Sequence, residues 1–154
     1  MPVRVIRRSR GSNISAKRVA EDARHLLRAL GEIDSELTVV LVDDEEMRRF
    51  NYKYRGQDRP TDVLAFAMRE GERVPHDEAV LGDVVISLET AARQGRARRT
   101  TIAEEVRTLL IHGLLHLLGY DHERSAAEAR QMRAKERGLR AMLEDRPSSA
   151  VRSI

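Results

Sequence analysis

Three of the chain's five histidines fall within eleven residues, in the segment Ile111-His-Gly-Leu-Leu-His-Leu-Leu-Gly-Tyr-Asp-His-Glu123. His112 and His116 are four residues apart, which on an α-helix is about 40° of rotation and about 6 Å of rise, so both imidazoles can meet one ion. Gly119 ends the apolar run and lets the chain turn, so that His122 can approach from a new direction. Three neutral imidazoles leave a fourth tetrahedral position for water, the arrangement of a catalytic rather than a structural zinc site. A single histidine on an apolar helix is ordinarily a hydrogen-bonded core residue. Three at this spacing around a glycine turn are read here as the ligands of one Zn2+ per chain.

The same register occurs in metzincin proteases, H-E-x-x-H-x-x-G-x-x-H. There a glutamate follows the first histidine and acts as general base; here that position is Gly113. Without the carboxylate, peptide hydrolysis lacks its base, and a metzincin-like hydrolase is disfavoured. A glycine inside a helix costs about 1 kcal/mol relative to alanine, so Gly113 needs a reason. Two are open. Something such as a substrate phosphate approaches the backbone beside the metal, or the helix packs closely on a sheet. On the first reading, Gly113→Glu keeps metal and fold and loses function.

These residues must be held by a chain of 154 residues with 41% apolar and only 3% aromatic side chains, so the core is built from Leu, Val, Ile and Ala. The absence of cysteine excludes disulfides, zinc fingers and thiol nucleophiles, and any transition-metal site must come from His, Asp and Glu. The first ten residues lack the apolar core of a signal peptide, and no stretch approaches the ~20 apolar residues of a membrane span. A soluble, cytoplasmic protein is expected. Residues 1–30 hold eight Arg and Lys against Glu21 and Asp22, and Arg93, Arg96, Arg98 and Arg99 form a second basic cluster. Such patches suit phosphate backbones, or are solvated surface.

The elements follow from punctuation and period. Val3, Val5 and Ile6 predict a short strand, and Ser15 caps a helix through about Leu30, with Val19, Ala23, Leu26 and Leu27 at helical spacing. Residues 36–43 are a β-branched run, and Asp43 or Asp44 caps a helix from Glu45 to about Tyr54, stopped by Gly56. Asp62 to Met68 reads as a third strand, residues 69–79 as a surface connection, and Leu81 to Ser87 as a fourth strand. Ser87 caps a helix to about Arg96, an apolar helix runs from about Thr101 to Leu118, and a last helix spans about Ser125 to Leu143. The expected fold is α+β: a single domain over residues 1–146, with a four-stranded mixed sheet packed by about five helices, the histidine helix central, and an unstructured tail at 147–154.

Beyond the spacing, His112-Gly-Leu-Leu-His-Leu-Leu-Gly-Tyr-Asp-His122 resembles the H-G-x-L-H-L-x-G-Y-D-H signature of the YbeY family, bacterial endoribonucleases and rRNA maturation factors. Asn51-Tyr-Lys-Tyr-Arg-Gly-Gln-Asp-Arg-Pro-Thr-Asp-Val-Leu64 resembles the family's N-x-x-Y-R-x-K-D-x-P-T-D-V-L, and Leu81-Gly-Asp-Val-Val-Ile-Ser87 its L-G-D-I-x-I-S strand. Gln57, Ala65 and Ala67 depart from the Lys, Ser and Pro common there. The resemblance runs from about Val39 to Glu136. It implies a zinc-dependent endoribonuclease acting on single-stranded RNA in 16S rRNA 3′-end maturation and ribosome quality control, with the three histidines as metal ligands and Arg55 as the functional arginine. Together they make the catalytic set Arg55, His112, His116 and His122.

A guanidinium beside a metal can clamp the non-bridging oxygens of a phosphodiester. By position alone, Arg55 reads rather as a helix C-terminal arginine facing the dipole. Asp62 and Asp83 are open as acceptors for histidine N–H groups or as strand-end caps, and Asp121 stands near enough to be considered as a base. His25 and His76 lie outside the cluster and are expected to be dispensable. The implied partners are ribosomal RNA and the small ribosomal subunit or its assembly factors. The competing reading is a non-catalytic assembly factor with structural zinc.

Overall fold

Each helix starts where a short side-chain oxygen can take up a free backbone N–H. In the computed structural model, which describes residues 3–9, 13–68 and 79–144, Ser15 accepts from Arg18 N–H at the head of α1 (Ala16–Ala29). Asp43, the first of the two expected caps, accepts from Glu46 N–H at 2.8 Å to open α2 (Asp44–Arg55). Ser87 accepts from Thr90 N–H for α3 (Leu88–Arg98). Thr101 and Glu104 bond reciprocally to each other's backbone N–H to open α4 (Ile102–Leu117). Ser125 accepts from Glu128 N–H at the start of α5 (Ala126–Glu144). Residues 69–78 of the expected connection at 69–79, the expected tail at 147–154 and His76 lie outside the described residues.

The strands are β1 (Val3–Arg7), β2 (Glu36–Val42), β3 (Val63–Ala67) and β4 (Val80–Ser87). They form one mixed sheet in the order β1-β2-β4-β3, with β1 and β4 parallel to β2 and β3 antiparallel to β4. The period-2 alternation divides the core. Leu37, Val39, Leu41, Val84 and Ile86 join the large cluster with α1, α3, α4 and α5, whereas Val42, Leu64 and Val85 pack with Met47 of α2 in a small one.

α4 lies inside this arrangement, with Val106, Leu109, Leu110, Ile111, Leu114, Leu115 and Leu117 all buried. Burying one such side chain contributes about 1.5–3 kcal/mol. Half a dozen of them fix the helix far more strongly than one internal glycine weakens it. α3 continues two residues past the expected Arg96, because Arg99 adopts the left-handed backbone (φ 59°) and closes it. The second basic cluster is also partly neutralised. Arg93 pairs with Asp44 at 2.6 Å, and Arg98 with the buried Glu105 at 3.1 Å, where Thr100 Oγ1 also donates.

Candidate metal centre

The last two turns of α4 present His112 and His116 side by side, half-buried, with their Nε2 atoms 3.1 Å apart. His122 joins them from the turn after the helix, and one ring nitrogen from each of the three lies within 4.8 Å of the others. Nitrogens bound tetrahedrally at about 2.0–2.1 Å from an ion are about 3.3 Å from one another. The helical pair therefore stands near binding separation, and exposed His122 is the member of the group with room to adjust. The donor set fits a metal ion. Burial, then the neighbouring His112 and His122, hold His116 below the ordinary histidine range, which keeps it in the neutral, ligating form.

A fourth residue completes the inner pair. Glu136 of α5 stands 3.1 Å from His112 Nδ1, both side chains being partly buried. With Nδ1–H donating to this carboxylate, the lone pair of His112 is left on Nε2, facing His116. The hydrogen bond from His112 keeps Glu136 below the usual glutamate range, so it accepts as an anion. Asp62 and Asp83 do not serve this purpose. Asp62 Oδ1 accepts from Val63 N–H and its Oδ2 from Gln94, while Asp83 lies on β4 opposite Phe66, its pKa raised by burial.

Asp121 is spent on shaping the turn. Its Oδ1 accepts from Glu123 N–H at 2.8 Å and its Oδ2 meets Arg124, bonds that flank His122 and hold the carboxyl below its usual range. Gly119, at φ 96°, takes the backbone into that turn, where any other residue would be strained. His25 sits on α1, outside the group.

Gly113 resolves in favour of packing. A Cβ there would stand 2.7 Å from Val84 Cγ1 and 3.3 Å from Val63 Cγ2, so α4 touches the sheet through its bare backbone. The expected room for a phosphate is not where a side chain at 113 would go, and the expectation that Gly113→Glu keeps the fold is overturned. Val84 is fully buried and β-branched, so it cannot swing aside.

The histidines open on a cleft of about 560 Å³, bordered by β3, the turn at Asp121 and Glu123, and Arg55. Arg55 is the last residue of α2, is exposed, and has no hydrogen-bond or ion-pair partner among the described residues. Its place depends on Asn51, a buried residue of α2 with two duties. Its Nδ2 donates to the Arg59 carbonyl at 2.8 Å, and its own carbonyl accepts from Gln57 N–H, fastening the loop that follows Arg55.

Comparison with known proteins agrees with the signature. A family model described as Endoribonuclease YbeY matches residues 5–144. An Endoribonuclease YbeY of Geobacter metallireducens is 48% identical over 145 residues, covering 94% of this chain and 97% of the relative. One from Aquifex aeolicus is 42% identical over 133 residues, covering 86% and 87%. A solution structure of a Thermotoga maritima protein superposes with a TM-score of 0.62 at 28% identity, over 97% of this chain and 99% of that one. With the match running through strands, histidine helix and α5 alike, the chain belongs to the YbeY family of endoribonucleases.

Proposed function

We propose that this chain is a zinc-dependent endoribonuclease that cuts single-stranded RNA, acts in the cytoplasm in maturing the 3′ end of 16S rRNA, and serves ribosome quality control. One observation carries the reading: three histidines able to hold a metal and an arginine without a partner among the described residues share one cleft. An all-imidazole donor set suits zinc among the divalent metals. When bound, zinc would polarise a phosphoryl oxygen and lower the pKa of a coordinated water towards about 7. Arg55 would grip two non-bridging oxygens with its planar fork and so orient the phosphodiester. Glu136 keeps the His112 tautomer, and Asp121 holds the turn that presents His122. The small ribosomal subunit or its assembly factors would bring the RNA to the cleft.

The peptidase reading loses further ground, because Gly113 backs onto Val84 and a glutamate there has no space. Against a purely structural zinc, no fourth ligand closes the group among the described residues, and the histidines face an open cleft. The test is metal content measured alongside cleavage of a defined rRNA precursor. The native chain should hold about one zinc and cut. His116→Ala should lose both. Arg55→Ala should keep metal and fold but lose most cleavage, and Arg55→Lys should rescue poorly, since an ammonium lacks the two-pronged geometry. Cleavage by metal-free His116→Ala would overturn the proposal. Normal cleavage by Arg55→Lys would reduce Arg55 to a positive charge.

A further inference from the structure

α5 runs antiparallel to α4 in a register set by two contacts. Glu136 meets His112, and Arg140, one turn further along α5, donates to Thr108 Oγ1, one turn earlier on α4. Followed in the other direction, the register brings Met132 to the level of His116, with Arg133 the next residue along. At about 100° per residue, Arg133, Arg137 and Arg130 lie about 60°, 100° and 120° round the helix from Glu136, on the side away from the buried Met132 and Leu139.

All three arginines are exposed, and none has a hydrogen-bond or ion-pair partner among the described residues. Arg8, Arg93, Arg98, Arg107 and Arg124 each meet a carboxylate. On α5 the neighbours at three and four residues are alanines or other arginines, apart from Glu136, which His112 engages. Like charges at i,i+4 destabilise a helix by about 0.2–0.5 kcal/mol per pair, and Arg133 and Arg137 bear that cost unrelieved. A polyanion would relieve it.

We propose that Arg130, Arg133 and Arg137 form a track for the phosphate backbone of the RNA that extends out of the metal cleft. The inference rests on the endoribonuclease reading above. Arg55 borders the cleft and the α5 arginines flank the helix that carries its histidines, so a single strand reaching from one to the other stays in contact with positive charge past the metal site. The track grips phosphates only and adds affinity for length without choosing sequence.

The test compares the native zinc-loaded protein with Arg130→Gln/Arg133→Gln/Arg137→Gln and with an equally charged control on α1, Lys17→Gln/Arg18→Gln/Arg28→Gln. Two single-stranded RNAs are used, one just long enough to fill the cleft and one several times longer. For the long RNA, the slope of log affinity against log salt should become shallower by about 2 in the α5 variant, at about 0.7 per lost phosphate contact. Arg133→Gln alone should give about a third of that. KM for the long RNA should rise with kcat unchanged, while the short RNA, zinc content and the control triple stay close to native. An unchanged slope in the α5 variant overturns the track and leaves that face to a different, acidic partner. An equal drop in the α1 control overturns it too, by reducing the effect to net charge. A native protein that binds no RNA sinks the endoribonuclease reading and the track together; one that binds and cuts while the α5 variant matches it sinks the track alone.

Discussion

The candidate metal centre has two halves built on different principles. His112 and His116 sit on a helix buried on nearly every side, their spacing set by helical geometry, with Glu136 fixing His112 from a second helix. His122 is exposed on a turn whose bonds are all local, from Asp121 to Glu123 and Arg124. The first half is costly to distort, because moving it means repacking leucines. The second is held by hydrogen bonds worth about 1 kcal/mol each, in competition with water. Affinity should therefore reside in the helical pair, with the turn supplying the ligand that closes on the ion.

The largest break in that comparison is removal of the pair itself. A His112→Ala/His116→Ala chain should hold no stoichiometric zinc on dialysis, whereas His122→Ala should bind weakly through the remaining two. Stoichiometric zinc in the double variant would sink the assignment. Next comes the backing of the pair. Gly113→Ala should lower stability by about 1–3 kcal/mol, the usual cost of overpacking, despite alanine's better helix propensity. Gly113→Glu should lower it further. Urea unfolding of the metal-free protein measures both, and a Gly113→Ala chain as stable as native would show that Val84 yields.

Glu136→Ala should weaken metal binding roughly 10–100-fold in a chelator competition while the chain stays folded. Nitrogen-resolved NMR of the metal-free protein should show His112 changing from the Nδ1–H tautomer to a mixture. Acidification should act next, since the ligands must be neutral. His116, held below the ordinary value near 6.5, stays neutral further into acid than a free histidine, so metal affinity should fall mainly below about pH 6. In the metal-free protein the unfolded chain takes up this proton before the folded one does. Its contribution to stability therefore shrinks as pH drops through 6.5. The smallest effect belongs to the turn: Asp121→Ala should cost only a few-fold in metal affinity, about one hydrogen bond's worth. A loss as large as that from Glu136→Ala would erase the distinction between the halves.

The gathering of the three histidines was legible because their geometry is local. Residues four apart on a helix and a glycine turn need no tertiary knowledge, and the same holds for the caps at Ser15, Asp43 and Ser87. Glu136 was not legible, since it reaches His112 through the docking of α5, 24 residues along the chain. Asp62 and Asp83 are nearer the motifs, but Asp62 serves its own strand and Gln94. Gly113 could not be decided either, because its reason is a pair of valines on strands β3 and β4. The basic cluster at residues 93–99 looked unopposed only because Asp44 and Glu105 lie elsewhere in sequence.

The 14 residues between His122 and Glu136 also set a timetable. At roughly 5–20 residues per second, a ribosome adds them in about 0.7–3 seconds. In that interval His112, His116 and His122 already exist as a chelating group, but nothing yet holds His112 in its Nδ1–H tautomer. An ion captured then meets ligands whose lone pairs are not all aimed at it, and exchanges readily. Only when α5 folds back along α4 does the carboxylate arrive, so an ion held by the three histidines would be fixed last.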